Sequence, residues 1–281
     1  MIYQYNGQFI ESTEINLNLS DRAMRYGDSV FESMKYANGR INFWEDHYFR
    51  LMSSMRILRM EIPMSFSPEY LEEQIKATVE KNELTQKAAR IRLQVSRKEG
   101  GLYSPESNDV NLLITIQEME SAQYQLNETG LEVDLFKDFY KQKSLLSTIK
   151  SGAATLYTVA SIFKKENNLD ECLLLNDDKK VAEAISANVF VVQGKTVITP
   201  PLSDGCLKGV VRKQVLALLP KMGYEVKEKS ISPFELQKSD ELFLTNASKG
   251  VQWVEKYRKK TFTKNVSEEL VKKLNIQVAL G

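Results

Sequence analysis

Residues 147–161 read "STIKSGAATLYTVAS", a lysine followed by small residues and then by an apolar helical pattern. Lys150 could be a solvated residue at a helix start, which is the usual place of a lysine. It could also carry chemistry, because a lysine amine can act as a nucleophile or a proton carrier. The rest of the chain has to decide between these interpretations.

Bulk composition predicts a soluble globular protein. Of its 281 residues, 42% are apolar and 27% are charged, and this length suits two domains. The 38 basic and 37 acidic residues nearly cancel, which argues against nucleic-acid or membrane-surface partners. No apolar stretch approaches a membrane span and the first residues do not resemble a leader, so we expect a cytoplasmic protein.

The chemistry-bearing residues exclude several kinds of site. Cys172 and Cys206 lack the spacing of a metal or redox pair, and His47 is the only histidine. We therefore expect no metal site and no Ser-His-Asp triad. Any chemistry must come from lysine, carboxylates, arginine, tyrosine or a bound cofactor.

Local patterns divide the chain in two. Asn6-Gly7 and Asn38-Gly39 are typical hairpin turns, and residues 44–60 carry apolar side chains at helical spacing. Ser67 followed by Pro68 predicts another helix start. The fold class is therefore α+β. The predicted domains are a smaller α+β domain over 1–119, a polar linker over 120–130 and a larger β-rich domain over 131–281.

Three groups of motifs together resemble a known family. They are "DRAMRYGDSVFESMKYANGRINFWEDHYFRL" (21–51), "TIKSGAATL" (148–156) followed by "VAEAISANVFVV" (181–192), and "LKGVVRKQV" (207–215) followed by "ELFLTNASKGVQ" (241–252). Their order and spacing resemble the pyridoxal-phosphate enzymes of fold type IV, the class IV aminotransferases. These include branched-chain and D-amino-acid transaminases and 4-amino-4-deoxychorismate lyase. The resemblance covers essentially the whole chain and implies a pyridoxal 5′-phosphate cofactor bound by the larger domain.

The resemblance makes Lys150 the Schiff-base lysine and Glu183 the partner of the cofactor's ring nitrogen. Glu183 follows Lys150 by 33 positions, whereas Lys143 would give 40, and Lys141 fails in the same way. The small residues after Lys150 are expected to leave room for the cofactor. Without the resemblance, Glu183 would be interpreted as an edge-strand residue facing water.

The resemblance also assigns a phosphate site. It consists of the guanidinium of Arg50, the backbone at a helix start (Gly209, Val210 and Val211), and a second loop with Thr245 and Asn246. Amide donors, the helix dipole and a guanidinium together suit an anion. Many relatives have a threonine at the position of Val211, so only the backbone donor is expected there.

Substrate contacts are predicted from both halves of the chain. Tyr26 and Glu32 match positions that line the site, and "SRKEGGLYSP" (96–105) with "LTNAS" (244–248) resembles some lyases. The resulting candidates are Arg97, Tyr103 and Asn246. His47 is assigned to packing. Thr155 stands where some transaminases have a tyrosine that touches the cofactor.

The leading interpretation of the reaction is a 4-amino-4-deoxychorismate lyase-like elimination of pyruvate that gives 4-aminobenzoate. The alternative is a branched-chain or D-amino-acid aminotransferase, and a remote one is a pyridoxal-phosphate-binding protein without turnover. Each acts on, or binds, a small-molecule amine. The resemblance further implies a homodimer whose active site lies between the domains and is closed by a partner loop.

Overall fold

Left-handed turn residues set the first strands of the chain. In the computed structural model, which describes residues 1–14, 16 and 18–280, Asn6 and Gly7 have φ values of 49° and 83°. Asn38 and Gly39 have values of 52° and 80°. Two consecutive positive φ values fit a two-residue hairpin, and both predicted hairpins are confirmed.

The first unit contains an antiparallel six-stranded sheet. Its strands are β1 (Ile2–Tyr5), β2 (Gln8–Glu11), β3 (Ser29–Ala37), β4 (Arg40–Ile41), β5 (Ala88–Arg97) and β6 (Val110–Met119), in the order β2-β1-β6-β5-β3-β4. Its helices are α1 (Arg22–Tyr26), α2 (Trp44–Ile57) and α3 (Pro68–Lys81). Ser67 caps α3 by accepting a hydrogen bond from the N–H of Tyr70, as the sequence predicts.

Helices α2 and α3 share one buried apolar core with the sheet. Met34 of β3, Leu51 and Met55 of α2, Ile75 of α3 and Ile91 of β5 are all almost fully buried in it. Each such side chain stabilises the fold by about 1.5–3 kcal/mol through removal from water. The core fixes β3 against α2, and these two elements carry several of the predicted site residues.

The second unit is built on a mixed nine-stranded sheet. Its strands are β7 (Leu131–Lys141), β8 (Glu171–Asn176), β9 (Val181–Ala184), β10 (Asn188–Gln193), β11 (Thr196–Thr199), β12 (Glu225–Glu228), β13 (Glu241–Asn246), β14 (Gly250–Tyr257) and β15 (Lys260–Thr261). The order is β12-β11-β10-β13-β14-β7-β8-β9, with β15 paired to β14. Its helices are α4 (Thr155–Glu166), α5 (Val210–Leu218), α6 (Pro233–Leu236) and α7 (Asn265–Leu280). The α+β class with a β-rich second part is confirmed.

The division of the chain differs in one place from the expected one. Unit 1 comprises Met1–Gln123 and Ile149–Ala154, and unit 2 comprises Tyr124–Thr148 and Thr155–Gly281. The chain thus passes from unit 1 to unit 2 within the predicted linker. It returns to unit 1 at Ile149–Ala154, so Lys150 belongs to unit 1 and not to the larger unit 2. Among the described residues, no helix is long and apolar enough to cross a bilayer. A cytoplasmic location stays a prediction.

Candidate active site

Lys150 lies in a short extended segment that pairs with the start of β3. Its carbonyl oxygen accepts a hydrogen bond from the N–H of Phe31 at 2.9 Å. The N–H of Gly152 donates to the carbonyl oxygen of Ser29 at 2.8 Å. Helix α4 begins only at Thr155. The backbone of Lys150 is therefore fixed by a strand of unit 1 rather than by the helix that follows it.

The small residues after Lys150 let two backbone segments approach closely. A Cβ atom on Gly152 would lie 2.2 Å from Ser29 Oγ. One on Gly27 would lie 3.1 Å from the backbone of Ala153, and Gly27 also has a φ of +65°, which favours glycine. Close packing within unit 1 thus accounts for these small residues, where the sequence analysis expected room for a cofactor.

The ring of Phe31 contacts two cations. Lys150 Nζ lies 4.7 Å from the ring centroid, and Arg92 Cζ lies 3.6 Å from it. Burial, together with the charge of Arg90, lowers the pKa of Arg92, which nevertheless stays protonated. Phe31 and Arg92 were not predicted as site residues from the sequence. The sequence feature that could have indicated Arg92 is the pair of arginines at positions 90 and 92, because alternate residues of a strand lie on the same face.

Arg50 of α2 is held by a buried carboxylate on β3. Its Nε donates to Glu32 Oε1 at 2.8 Å, and its Nη2 donates to Glu32 Oε2. His47 Nδ1 lies 2.6 Å from the same Oε2. Burial alone would raise the pKa of Glu32, but the charge and hydrogen bonds of Arg50, aided by His47, lower it to about 2. Both oxygens of Glu32 accept hydrogen bonds within unit 1, so Glu32 anchors Arg50. The substrate contact predicted for Glu32 stays a prediction.

Glu183 lies on β9 within a buried polar cluster of unit 2. Its Oε1 accepts a hydrogen bond from Tyr157 at 2.8 Å and pairs with the ammonium of Lys141. Its Oε2 accepts from the backbone N–H of Leu207 at 2.6 Å. Glu183 is only 3% exposed. The strand β9 does lie at the edge of its sheet, but Glu183 does not face water, so that alternative is wrong.

The first turn of α5 presents N–H groups without a side-chain cap, whereas the N–H of Gly209 before it donates to the carbonyl oxygen of Leu207 at 2.9 Å. The helix begins at Val210, after Gly209, and no side chain of the described part of the chain caps it. Asn188 Nδ2 donates to the carbonyl oxygen of Leu207 at 2.8 Å. A Cβ atom on Gly209 would lie 2.0 Å from Asn188 Oδ1, so only glycine fits there. A helix start of this kind is suited to an anion.

Thr245 is placed opposite the residue that holds this turn. Thr245 of β13 pairs with Asn188 of β10 in the sheet register, and directly opposite residues project from the same face. Thr245 is 2% exposed, and within the described residues its Oγ1 has no hydrogen-bond partner. Because a buried hydroxyl left unpaired costs about 1–3 kcal/mol, it marks a position where a ligand atom can bind.

Comparison with known proteins identifies the family. The model of class IV amino-transferases matches residues 29–257. The chain belongs to the class IV aminotransferases. The D-alanine aminotransferase of Bacillus licheniformis is 28% identical over 98% of this chain and 94% of that protein. The aminodeoxychorismate lyase of Vibrio harveyi is 27% identical over 85% of this chain and 86% of that protein.

The fold of this class IV enzyme is also found among solved structures. The branched-chain aminotransferase of Thermoproteus uzoniensis superposes with a TM-score of 0.87 at 22% identity, covering 99% of this chain and 94% of that one. The fold type IV architecture implied by the motifs is thereby confirmed. A transaminase and a lyase match the sequence almost equally well, so sequence identity does not distinguish between the two reactions.

Arg97 of the class IV enzyme stabilises unit 1. Its guanidinium donates four hydrogen bonds, and the residue is 6% exposed. The acceptors are a carboxylate, an amide and two carbonyl oxygens: Asp28, Asn108, Leu58 and Arg59. These hydrogen bonds hold β5 against its neighbouring loops. The substrate contact predicted for Arg97 stays a prediction.

The loop after Arg97 is fixed through its backbone. Arg22 Nη1 donates to the carbonyl oxygens of Gly100 and Leu102 at 3.0 and 2.7 Å. Tyr103 is left 91% exposed, with its ring 5.7 Å from that of Tyr26. The predicted substrate contacts of Tyr26 and Tyr103 stay predictions.

Asn246 uses its side-chain oxygen within its own turn. Its Oδ1 accepts hydrogen bonds from the N–H groups of Ser248 and Lys249 at 3.1 and 2.8 Å. This contact shapes the connection between β13 and β14. This contact was not predicted from the sequence, and a role of Asn246 toward cofactor or substrate stays a prediction.

The two lysines that precede Lys150 are both ion-paired within unit 2. Lys141 pairs with Glu183, and the partly exposed Lys143 pairs with Asp178. Lys141 therefore lies at the carboxylate assigned to the ring nitrogen, whereas a Schiff-base lysine has to reach the opposite end of the ring. This arrangement agrees with the choice of Lys150, which stays a prediction.

Proposed function

We propose that this enzyme binds pyridoxal 5′-phosphate, the cofactor of class IV aminotransferases, and acts with it on a small-molecule amine. The observation that carries the proposal is the uncapped start of α5 next to the unpaired hydroxyl of Thr245. Backbone N–H groups and a hydroxyl are the donors that a phosphate group requires. Glu183 is linked to the same turn through the N–H of Leu207.

Lys150 is assigned to the cofactor's aldehyde carbon. When bound, pyridoxal phosphate supplies that carbon for amines and a ring that withdraws electrons from the substrate. Lys150 would hold that carbon through its Nζ atom and would carry the proton of the substrate carbon. The ring of Phe31, whose centroid lies 4.7 Å from Nζ, orients this end of the side chain.

The remaining contacts are those with the ring nitrogen and the phosphate group of the cofactor, and they are assigned by charge. Glu183 pairs with the ring nitrogen and keeps it protonated, which strengthens electron withdrawal. Val210 and Val211 bind the phosphate through their N–H groups, and Thr245 adds its hydroxyl. Gly209 lets the turn approach closely, while its own N–H donates to the carbonyl oxygen of Leu207 at 2.9 Å. Arg50 adds a guanidinium whose direction is set by Glu32.

The cofactor is tested by the visible spectrum of the purified protein with pyridoxal phosphate, before and after borohydride. We expect a yellow band that borohydride fixes to the wild-type chain. Lys150→Ala should lose both properties, whereas Lys143→Ala, a nearby lysine paired with Asp178, should keep them. A colourless wild-type protein would contradict the proposal.

For the reaction, we propose first a lyase-like elimination of pyruvate that leaves 4-aminobenzoate. The support is the sequence "SRKEGGLYSP", the asparagine in "LTNAS" and the similarity to the lyase of Vibrio harveyi. Arg22 holds the first of these loops so that Leu102 and Tyr103 are exposed. Exposed apolar and aromatic side chains suit contact with a cyclic substrate.

A branched-chain or D-amino-acid transamination is the second candidate, and Arg92 is the observation that favours it. Arg92 and Lys150 contact the same ring, so a guanidinium lies near the amine that would exchange with an amino acid. A guanidinium is a strong partner for the carboxylate of such a substrate.

The two reactions are separated by supplying aminodeoxychorismate without any keto acid. Release of 4-aminobenzoate and pyruvate supports the lyase. If neither product forms, while an amino acid donor converts the bound cofactor to its amine form in a single turnover, the enzyme is a transaminase.

A further inference from the structure

Lys141 is a buried cation next to the carboxylate assigned to the ring nitrogen. It ends strand β7 and is paired with Asn176 in the register with β8. Its side chain is 5% exposed and that of Glu183 is 4% exposed. Two oppositely charged groups buried this deeply depend on each other, because either alone would be costly.

Tyr157 of α4 completes a triangle with this pair. Its hydroxyl lies 2.8 Å from Lys141 Nζ and 2.8 Å from Glu183 Oε1. Burial, and then the negative charge of Glu183, raise the pKa of Tyr157. The hydroxyl therefore remains protonated and donates to the carboxylate.

The contacts of Glu183 leave one direction open. An ionised carboxylate has about four lone-pair positions for donors. Lys141 and Tyr157 use those of Oε1, and the N–H of Leu207 uses one on Oε2. The contacts of the described residues thus leave one position on Oε2 for a further donor.

We propose that Lys141 and Tyr157 are positioning residues that keep Glu183 ionised and aim one lone pair of Oε2 at the cofactor's protonated ring nitrogen. The inference rests on the proposed function. Both residues act through Glu183 and are not themselves placed at the reacting atoms.

Other charged or titratable groups near the cluster do not replace the ammonium. Cys206, which precedes Leu207, faces Glu183 and Lys141. Burial raises its pKa to about 12, so its thiol stays neutral. Arg212, which also acts on Cys206, donates to Glu228 and to the carbonyl oxygen of Pro200.

Removal of the Lys141 ammonium should change the number of protons released when pyridoxal phosphate binds. In Lys141→Met, Glu183 is a buried carboxylate without a cation and takes up a proton. Pyridoxal phosphate carries a proton on its ring nitrogen near neutral pH. A protonated Glu183 and this ring nitrogen can share only one proton, so binding to the variant releases one. Its affinity should therefore rise with pH relative to wild type, by up to about tenfold per pH unit.

The experiment measures the dissociation constant of pyridoxal phosphate by spectral titration across roughly pH 6–9, together with proton release by calorimetry in two buffers. Lys141→Met should show the added slope and release about one proton more than wild type. Lys141→Arg, which keeps the charge, should restore the wild-type profile. Lys143→Met is the matched control, because it removes a lysine two residues away from a partly exposed ion pair.

Each outcome decides the inference. A wild-type slope in folded Lys141→Met overturns it. If that variant does not fold, Tyr157→Phe decides, since a smaller slope change of the same sign supports the inference and an unchanged profile overturns it. A wild-type protein that binds no cofactor contradicts the proposed function and the inference with it, whereas normal binding with identical profiles contradicts the inference alone.

Discussion

At the scale of single residues, two buried threonines of unit 2 differ in whether their hydroxyl has a hydrogen-bond partner, which distinguishes a binding-site residue from a core residue. Thr199 Oγ1 donates to the carbonyl oxygen of Val189 at 2.7 Å. Thr245 Oγ1 is equally buried but has no such partner in the described part of the chain. A fold gains nothing from an unpaired buried hydroxyl. The hydroxyl of Thr245 is better explained by a ligand.

Thr245→Val should therefore separate stability from cofactor binding. Removal of the hydroxyl relieves an unpaired polar group, so we expect the free energy of unfolding of the cofactor-free protein to stay equal or to rise by up to about 1 kcal/mol. Affinity for pyridoxal phosphate should fall about tenfold, the loss of one hydrogen bond to a charged group. Urea unfolding and spectral titration measure the two quantities.

Thr199→Val is the control for this prediction. It removes a hydroxyl whose hydrogen bond is internal, so it should destabilise the protein by about 1 kcal/mol and leave cofactor affinity unchanged. Loss of stability in Thr245→Val without loss of affinity would show that its hydroxyl has a structural role.

At the scale of secondary-structure elements, the pairing of β3 with α2 is electrostatic as well as apolar. Glu32 on the strand binds Arg50 and His47, which lie one helical turn apart on α2. The pKa of Glu32 is lowered from 4.5 to about 2 although burial opposes this. The carboxylate thus stabilises the fold above about pH 4.5, and this stabilisation is lost as the pH falls toward 2.

Glu32→Gln should reveal this contribution through pH. At about pH 7 the variant leaves Arg50 buried without its carboxylate, and we expect a loss of roughly 3 kcal/mol in the free energy of unfolding. At about pH 3 the unfolded wild-type chain has already taken up the proton on Glu32. The difference between the two proteins should then shrink by about 2 kcal/mol. Urea unfolding at both pH values checks this.

A surface glutamate provides the comparison. Glu72 pairs with Lys76 one turn along α3, and both side chains are partly exposed. Glu72→Gln should change stability by less than about 1 kcal/mol at either pH. An equal effect of the two substitutions would mean that Glu32 is not a specific anchor of Arg50.

At the scale of the whole molecule, apolar side chains on the surface of unit 2 predict self-association. Phe139, Tyr140, Leu145 and Leu146 lie within one short stretch, and each is at least 43% exposed. Clusters of large exposed apolar residues mark interaction surfaces in soluble proteins. The homodimer implied by the family resemblance agrees with such a surface, and we propose it for this chain.

Sedimentation equilibrium tests the dimer. We expect a mass of twice 32.2 kDa for the wild-type protein. Leu146→Lys should weaken association at least about tenfold, because a charge in an apolar contact is costly. Met64→Lys alters a fully exposed residue of unit 1 and should have no effect. A wild-type monomer, or equal effects of both variants, would contradict the surface proposed here.

Elements with local signals could be predicted from the chain. Asn6-Gly7 specifies its hairpin because few other pairs adopt two positive φ values, and Ser67-Pro68 specifies a helix start because the cap and the ring act locally. The spacing from Lys150 to Glu183 could also be recognised in the sequence, because the family's motifs occur in the same order and at similar distances. The hydrogen bonds of Arg97 could not be predicted for the opposite reason, because its four acceptors come from other segments of unit 1.

By itself the sequence determined the α+β class, the two-part organisation, the family and the residue types that a pyridoxal-phosphate site needs. Only the tertiary structure placed Lys150 against β3, brought Phe31 and Arg92 to it, and joined Lys141, Tyr157 and Glu183. Propensity and spacing act over a few residues, whereas hydrogen bonds and ion pairs form between side chains far apart in the chain. Which partners meet is fixed when the sheets assemble.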